Sequence, residues 1–316
     1  MTRTCIMMTL VLLIGAFATS PASAGESLAE LKAKIDKIAE GFHGVLGYSM
    51  HFRGKPEQRI SLRGDEAFPT ASTIKTAVMC EVMHQIEKGK IKWSDEVEVQ
   101  KTEDERQAGG FSYYFKEGTK ISIDQWTHLM MTVSDNTATM LLREHLGQKN
   151  INDWLESQGF KETRILNGKK CDELGLRPLQ QVYGLGKTTP NEMLRLIETI
   201  RDGKAGSAAS CDRMQRIMNH QYWDDAIQSQ VPPHIHVGSK GGAVNRSRSD
   251  AAIFTTPMGE VALTIYTKDQ EDQRWVDDNE GDVAVRSIAA LVWRHYDPKH
   301  TWSPPEGAEK LWPGAK

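Results

Sequence analysis

Apolar residues recur at Leu28, Leu31, Ile35 and Ile38, a three-and-four spacing that lines one face of a helix, and Ser27 with Glu30 offers a capping box at its start. Two runs of strand character follow at residues 45–52 and 59–63, separated by the turn composition Gly54-Lys55-Pro56. Helical spacing returns over residues 72–88, where Val78, Val82, Met83 and Ile86 share a face and Gly89 is placed to end the helix. It continues at residues 123–133, 137–146, 151–157 and 191–201. Residues 166–188 break the series, because their glycines, lysines and Pro178 show no sustained period. They predict a long ordered loop, and loops of that length inside a domain are often functional. Beyond Pro232-Pro233, strand patterns reappear at 234–240, 251–255 and 261–267, with Pro257-Met258-Gly259-Glu260 turning between the last two. A closing helix spans 282–295 and carries Ile288, Leu291, Val292 and His295 on one face.

Strands at both ends of the chain with helices between them predict an α+β fold. One antiparallel sheet is completed by both terminal regions and flanked by helices, and the middle forms an all-helical lobe. The expected division is a sheet lobe of residues 25–70 and 230–296 and a helical lobe of residues 71–229, with a groove between them suited to a ligand. Residues 297–316, rich in proline and tryptophan, read as an extended tail.

Composition narrows the partners. With 316 residues, 39% hydrophobic and 26% charged, the chain is an ordinary globular protein. Its formal net charge of -3 gives no electrostatic reason to bind nucleic acid or an anionic membrane. Arg3, the apolar run 5–17 and Ala22-Ser23-Ala24 have the pattern of a secretory signal, so residues 1–24 are expected to be removed and the mature chain to begin near Gly25. The expected product is exported to the periplasm or beyond, is not membrane-bound after cleavage, and acts as a monomer. Cys80, Cys171 and Cys211 then remain, enough for at most one disulfide. No cofactor is implied: the cysteines lack metal-site spacing, His234 and His236 have no third ligand nearby, and Asp277, Asp278, Glu280 and Asp282 suit a helix N-terminus better than a calcium loop.

Three short motifs carry chemistry. Ser72 and Lys75 in "FPTASTIK" lie one helical turn apart, pairing a nucleophilic hydroxyl with a built-in amine base. Ser134 and Asn136 in "SDN" sit at a helix junction, where a proton-passing hydroxyl and an amide can face one site; a helix cap is the other use of such residues. Lys240 in "GSKGG" places a cation at a strand end beside Gly241 and Gly242, which would let a substrate come close to the strand.

The order serine-lysine, SDN, lysine-glycine resembles the penicillin-recognising serine hydrolases, with most detail similar to class A β-lactamases. The resemblance extends to "TTPNEM" from Thr188 and covers about residues 28–296. It implies a β-lactamase/transpeptidase-like fold and a small-molecule β-lactam or peptidoglycan-derived substrate. It further implies that Ser72 attacks the lactam carbonyl, Lys75 is its base, and the N–H groups of Ser72 and Ala243 form an oxyanion hole. Ser134 would protonate the departing nitrogen, Asn136 would hold the substrate's amide side chain, and Lys240 would face its carboxylate. Lys240 should also depress the pKa of Lys75, since two ammonium ions disfavour each other.

Two departures stand out. Gly241 replaces the family's threonine or serine, so Arg246 or Arg248, spaced to share a strand face, is expected to supply the missing carboxylate contact. The deacylating glutamate is the second. Counting back from Pro190 puts Glu173 in its place, whereas aligning Asp172-Glu173-Leu174-Gly175 with the family motif leaves Cys171 there, with Asp172 a lesser candidate. A D,D-peptidase or a β-lactam or peptidoglycan sensor is the alternative function.

Overall fold

The computed structural model describes residues 26–100, 110–299 and 302–313. The expected signal segment, residues 1–24, lies outside them. Helix α1 (Leu28–Glu40) forms where the capping box predicts it: the Ser27 hydroxyl accepts from the Glu30 amide, and the Glu30 carboxylate accepts from the Ser27 amide. Strands β1 (Val45–Phe52) and β2 (Arg59–Leu62) follow, then the two-residue β3 (Phe68–Pro69). A 3-10 turn, Ala71–Ile74, leads into α2 (Lys75–Glu87), which ends before Gly89 at φ 67°, a left-handed conformation that costs glycine little.

The helical lobe hangs on α2. Strands β4 (Glu96–Glu98) and β5 (Lys120–Ser122) pair beside α3 (Ile123–Thr132), and α4 (Asn136–Leu146) and α5 (Gln148–Ser157) follow. Val78 and Val82 of α2 pack in one core with Trp126 and Met130 of α3 and Leu142 of α4. Residues 166–188 are not one continuous loop. After β6 (Arg164–Ile165) they contain α6 (Arg177–Tyr183) and β7 (Gly186–Thr188), which pairs with both β3 and β6. Pro178 near the N-terminus of α6 favours its start, but the helix buries no residue, so it leaves no apolar period in the sequence. Helices α7 (Pro190–Arg201) and α8 (Ala208–Met218) complete the lobe.

Strand β8 (Val237–Val244) starts later and runs further than its pattern suggested, so Lys240 is mid-strand. His234 and His236 precede it and are exposed. β9 (Ser247–Thr256) and β10 (Gly259–Lys268) follow, then α9 (Glu280–Tyr296). The sheet order is β2-β1-β10-β9-β8, antiparallel throughout, with Val45 opposite Lys268 and Lys240 opposite Ala251. Alternation then gives each face its own core. Tyr48, Met50 and Ile265 pack with Leu31 and Ile35 of α1 and Ile288 and Val292 of α9, whereas Ala251 and Tyr266 join the core built on α2. In the tail, Trp312 receives the Arg286 guanidinium of α9 over its ring, 4.9 Å from the centroid.

Among the described residues no helix is long and apolar enough to cross a membrane. Cys80, Cys171 and Cys211 are all buried, free thiols.

Candidate active site

Ser72 sits in the 3-10 turn that joins β3 to α2. Ala71 before it has φ 43°, a left-handed conformation for a side chain with a Cβ, which costs roughly 1–2 kcal/mol. The surroundings hold it there: Thr70 donates its amide to Gly186 of β7 and accepts from the Thr73 amide, and the Thr73 hydroxyl bonds both Thr70 O and the Tyr266 hydroxyl. Ser72 itself is partly exposed.

Lys75 is fully buried. Its Nζ donates to Ser134 O at 2.7 Å, Ser134 Oγ at 3.1 Å and Asn136 Oδ1 at 2.8 Å. Burial, with Lys240 adding to it, pushes this amine well below the ordinary lysine value, while Asp135 pulls the other way. Lys240, equally buried, donates to the same Ser134 Oγ at 3.0 Å and to Gly241 O at 2.9 Å. Burial lowers it to about 8. One hydroxyl thus bridges two amines, one from α2 and one from β8.

The SDN turn is fixed by its middle residue. Asp135 caps α4 through Ala138 N at 2.8 Å and accepts from Ser112 N at 2.9 Å and Ser112 Oγ at 2.6 Å. Ser134 itself has φ 57°, so the turn that aims its hydroxyl is conformationally costly and needs these anchors. The helix cap and the chemical role are therefore divided between neighbours: Asp135 caps, while Ser134 and Asn136 face Lys75.

The glycines of β8 have different roles from the one expected. A Cβ on Gly242 would stand 2.7 Å from Ser72 N and 2.8 Å from Thr70 O, so Gly242 is needed for the strand to meet the backbone of the nucleophile's own turn. Gly241 has room, its nearest neighbours being at ordinary contact distance. Ala243 lies one residue beyond the Gly242 contact on this edge strand. Ser249, which the sequence reading missed, ties the two segments together: its hydroxyl reaches Thr70 O at 3.3 Å and Gly242 O at 3.1 Å. Its only signal was its place in "NRSRSD", overshadowed by the arginines.

Those arginines do not share a strand face. Arg246 lies in the turn between β8 and β9, exposed, with Nη2 directed to Asp269 O. Arg248 is on β9 but on the side covered by α9, where it binds Asp282 at 2.8 Å, Val244 O and Arg274 O and lies over Trp275. Its donors are occupied on the far side of the sheet from Lys240, so Arg248 is not the replacement for the missing hydroxyl.

The loop carboxylates stand apart from this cluster. Glu173 is exposed, two residues beyond buried Cys171, and is not among the groups bonded to Lys75. Asp172 pairs with Arg177 at 2.7 Å and is held below the usual aspartate range by it. The stem is better fixed: Gln148 Nε2 donates to Leu166 O at 3.1 Å, and Asn152 both donates to Ile165 O and accepts from Ile165 N.

A serine at a helix start, a buried lysine one turn on whose amine bonds Ser134 and Asn136 rather than Ser72, a second serine between two lysines and an edge strand packed on the first serine's turn fit one class: the serine hydrolases that work through an acyl-enzyme. The sequence profile of the β-lactamase enzyme family matches residues 30–296, and the chain belongs to that family. The β-lactamase CARB-3 of Pseudomonas aeruginosa is 26% identical over 215 residues, 64% of this chain and 70% of the relative. A variant of the chromosome-encoded β-lactamase of Vibrio parahaemolyticus superposes with a TM-score of 0.72 at 26% identity, covering 84% of this chain and all of that one. The β-lactamase of Sphaerobacter thermophilus DSM 20745 gives 0.73 at 23%, covering 87% and 100%. The protein is a class A β-lactamase-like serine hydrolase of α+β fold.

Proposed function

We propose that Ser72 opens the β-lactam ring and carries the acyl group. The carrying observation is Ser134 Oγ, 3.1 Å from Lys75 Nζ and 3.0 Å from Lys240 Nζ. Lys75, whose proton burial makes easier to lose, accepts the Ser72 proton as Oγ attacks the carbonyl carbon. The developing oxyanion is met by the N–H groups of Ser72 and Ala243, a type of contact whose single loss costs about 10²–10³ in rate. The lactam C–N bond then breaks, Ser134 gives its proton to the ring nitrogen, and Lys75 restores the proton to Ser134. Asn136 holds the substrate's amide side chain. Lys240 faces its carboxylate, and Arg246 at the rim of the same strand adds positive potential.

Release requires water at the ester carbonyl, and Glu173 is the base in this reading. That assignment draws on its place in the loop before Thr188 and requires the loop to bring its carboxylate inward once substrate is bound. The protein is exported, with residues 1–24 as its leader, and works as a monomer without a metal or cofactor.

Purified mature protein is mixed with a chromogenic cephalosporin while turnover and covalent mass are followed. Sustained hydrolysis with a transient adduct, both abolished in Ser72→Ala, is the expected result. A stoichiometric burst with a persistent adduct would overturn the hydrolytic reading in favour of an acylating peptidase.

A further inference from the structure

Beneath the third motif lies a carboxylate that the mechanism above does not use. Asp250 of β9 is directly opposite Gly241 of β8 and is buried. Its oxygens accept from Ile227 N at 3.0 Å and Ala251 N at 2.9 Å. It shares a strand face with Arg248 and Ala252, on the α9 side of the sheet, whereas Lys240 points to the Ser134 side. Gly241 leaves the space beside Asp250 on that face thinly filled: a Cβ there would lie 3.8 Å from Asp250 Oδ1. The position where the family places a hydroxyl on the substrate carboxylate therefore has a buried acid behind it.

We propose that Asp250 is a specificity-determining residue: its carboxyl group, seated behind Gly241, offsets the Lys240 charge that an anionic substrate meets, so the site holds a carboxylate-bearing β-lactam more tightly when Asp250 is protonated. The inference rests on the reading of Lys240 as the carboxylate partner. Asp250 acts through Lys240 and does not touch the substrate.

The neighbourhood sets the sign. Burial raises Asp250 to about 6, with Lys240 pulling it down. Other charged or titratable groups in this cluster are Asp225 from the segment before β8, Asp282 and Arg286 from α9, Arg248 from β9 and Tyr266 from β10. Arg248 and Asp282 neutralise each other as an ion pair at 2.8 Å. Between about 6 and about 8 Asp250 is ionised and Lys240 protonated, and the pair is neutral overall. Below that window the pair is cationic. Above it Lys240 loses its proton and its hold on an anion.

The test compares a cephalosporin bearing its free carboxylate with the neutral ester of the same compound, as the ratio of their kcat/KM values for Ser72 acylation. Effects of pH on Lys75 cancel in that ratio. On the unmodified protein the ratio should rise on the order of fivefold from pH 7.5 to pH 5, as linkage requires when binding and protonation are coupled. In Asp250→Asn, whose amide oxygen can still accept from Ile227 N, the ratio should stay flat from pH 6.5 down to pH 5, and a fall above pH 6.5 would report deprotonation of Lys240. Asp225→Asn should keep the slope. A flat ratio in the unmodified protein, an unchanged slope in Asp250→Asn, or loss of the slope in Asp225→Asn each overturns the inference while leaving acylation at Ser72 intact. If neither compound acylates Ser72, the underlying reading fails and this one with it.

Discussion

The two halves of the reaction are built to different standards. The proposed acylating half, Ser72, Lys75, Ser134, Asn136 and Lys240, is drawn from three separate segments, yet its two amines are buried and reach one hydroxyl within 3.1 Å. The proposed releasing half draws on residues 169–175, a run of turns whose first candidate base, Glu173, is exposed, as is the lesser one, Asp172. Position in the first half is imposed by packing on both sides. In the second it is imposed mainly at the loop's stem, by Gln148 and Asn152, with buried Cys171 and the exposed Asp172–Arg177 pair the chief anchors nearer the tip. In the proposed mechanism bond formation at Ser72 is thus encoded in the core, whereas hydrolysis draws on a segment that has little core of its own.

The sharpest way to break the first half is Gly242→Ala. A methyl group 2.7 Å from Ser72 N must push the strand from the turn, and displacement of about 1 Å at a reacting group costs on the order of a hundredfold. Acylation measured by burst kinetics should fall by at least that much, with a loss of about 1–3 kcal/mol in stability by denaturant unfolding. Unchanged acylation would show that the contact is not what positions Ser72. Next, Glu173→Gln should slow deacylation by about a hundredfold while acylation holds, so that the acyl adduct accumulates in mass spectra. If turnover is unaffected, the releasing base is another group. The smallest effect is expected from Arg177→Ala, which removes an exposed pair with Asp172. Both kinetic phases should stay within about twofold and the thermal midpoint within about 2 °C. A larger change would mean that the tip is ordered by this pair after all.

Much of the acylating half could be read in the sequence, because its residues sit in short motifs whose spacing survives folding: Ser72 and Lys75 one helical turn apart, Ser134 and Asn136 at a junction. The sheet was legible too, since alternation is local. What was not legible depended on partners across the fold. Arg248 and Arg246 are two apart, but only the turn at Asn245-Arg246, which lacks the glycine that would mark it, shows that one is outside the strand. Which face Arg248 takes is decided by Asp282, thirty-four residues away. Ser249 and Gly242 matter through Thr70 and Ser72, contacts that no local pattern reports. Helix α6 was missed because burial, not propensity, generates a period, and α6 buries nothing.

The contact between Gly242 and Ser72 joins segments 170 positions apart, and β1 is completed by β10, whose last paired residue is Lys268. Such long-range pairing must pay for closing a long loop before it is rewarded, which makes it intrinsically slow. A growing or unfolded chain therefore holds its serine and lysine in sequence proximity without a reactive centre. With Ser72 as the proposed nucleophile, its turn is complete only when the C-terminal strands close on it, so covalent capture of a β-lactam would double as a chemical readout of completed folding.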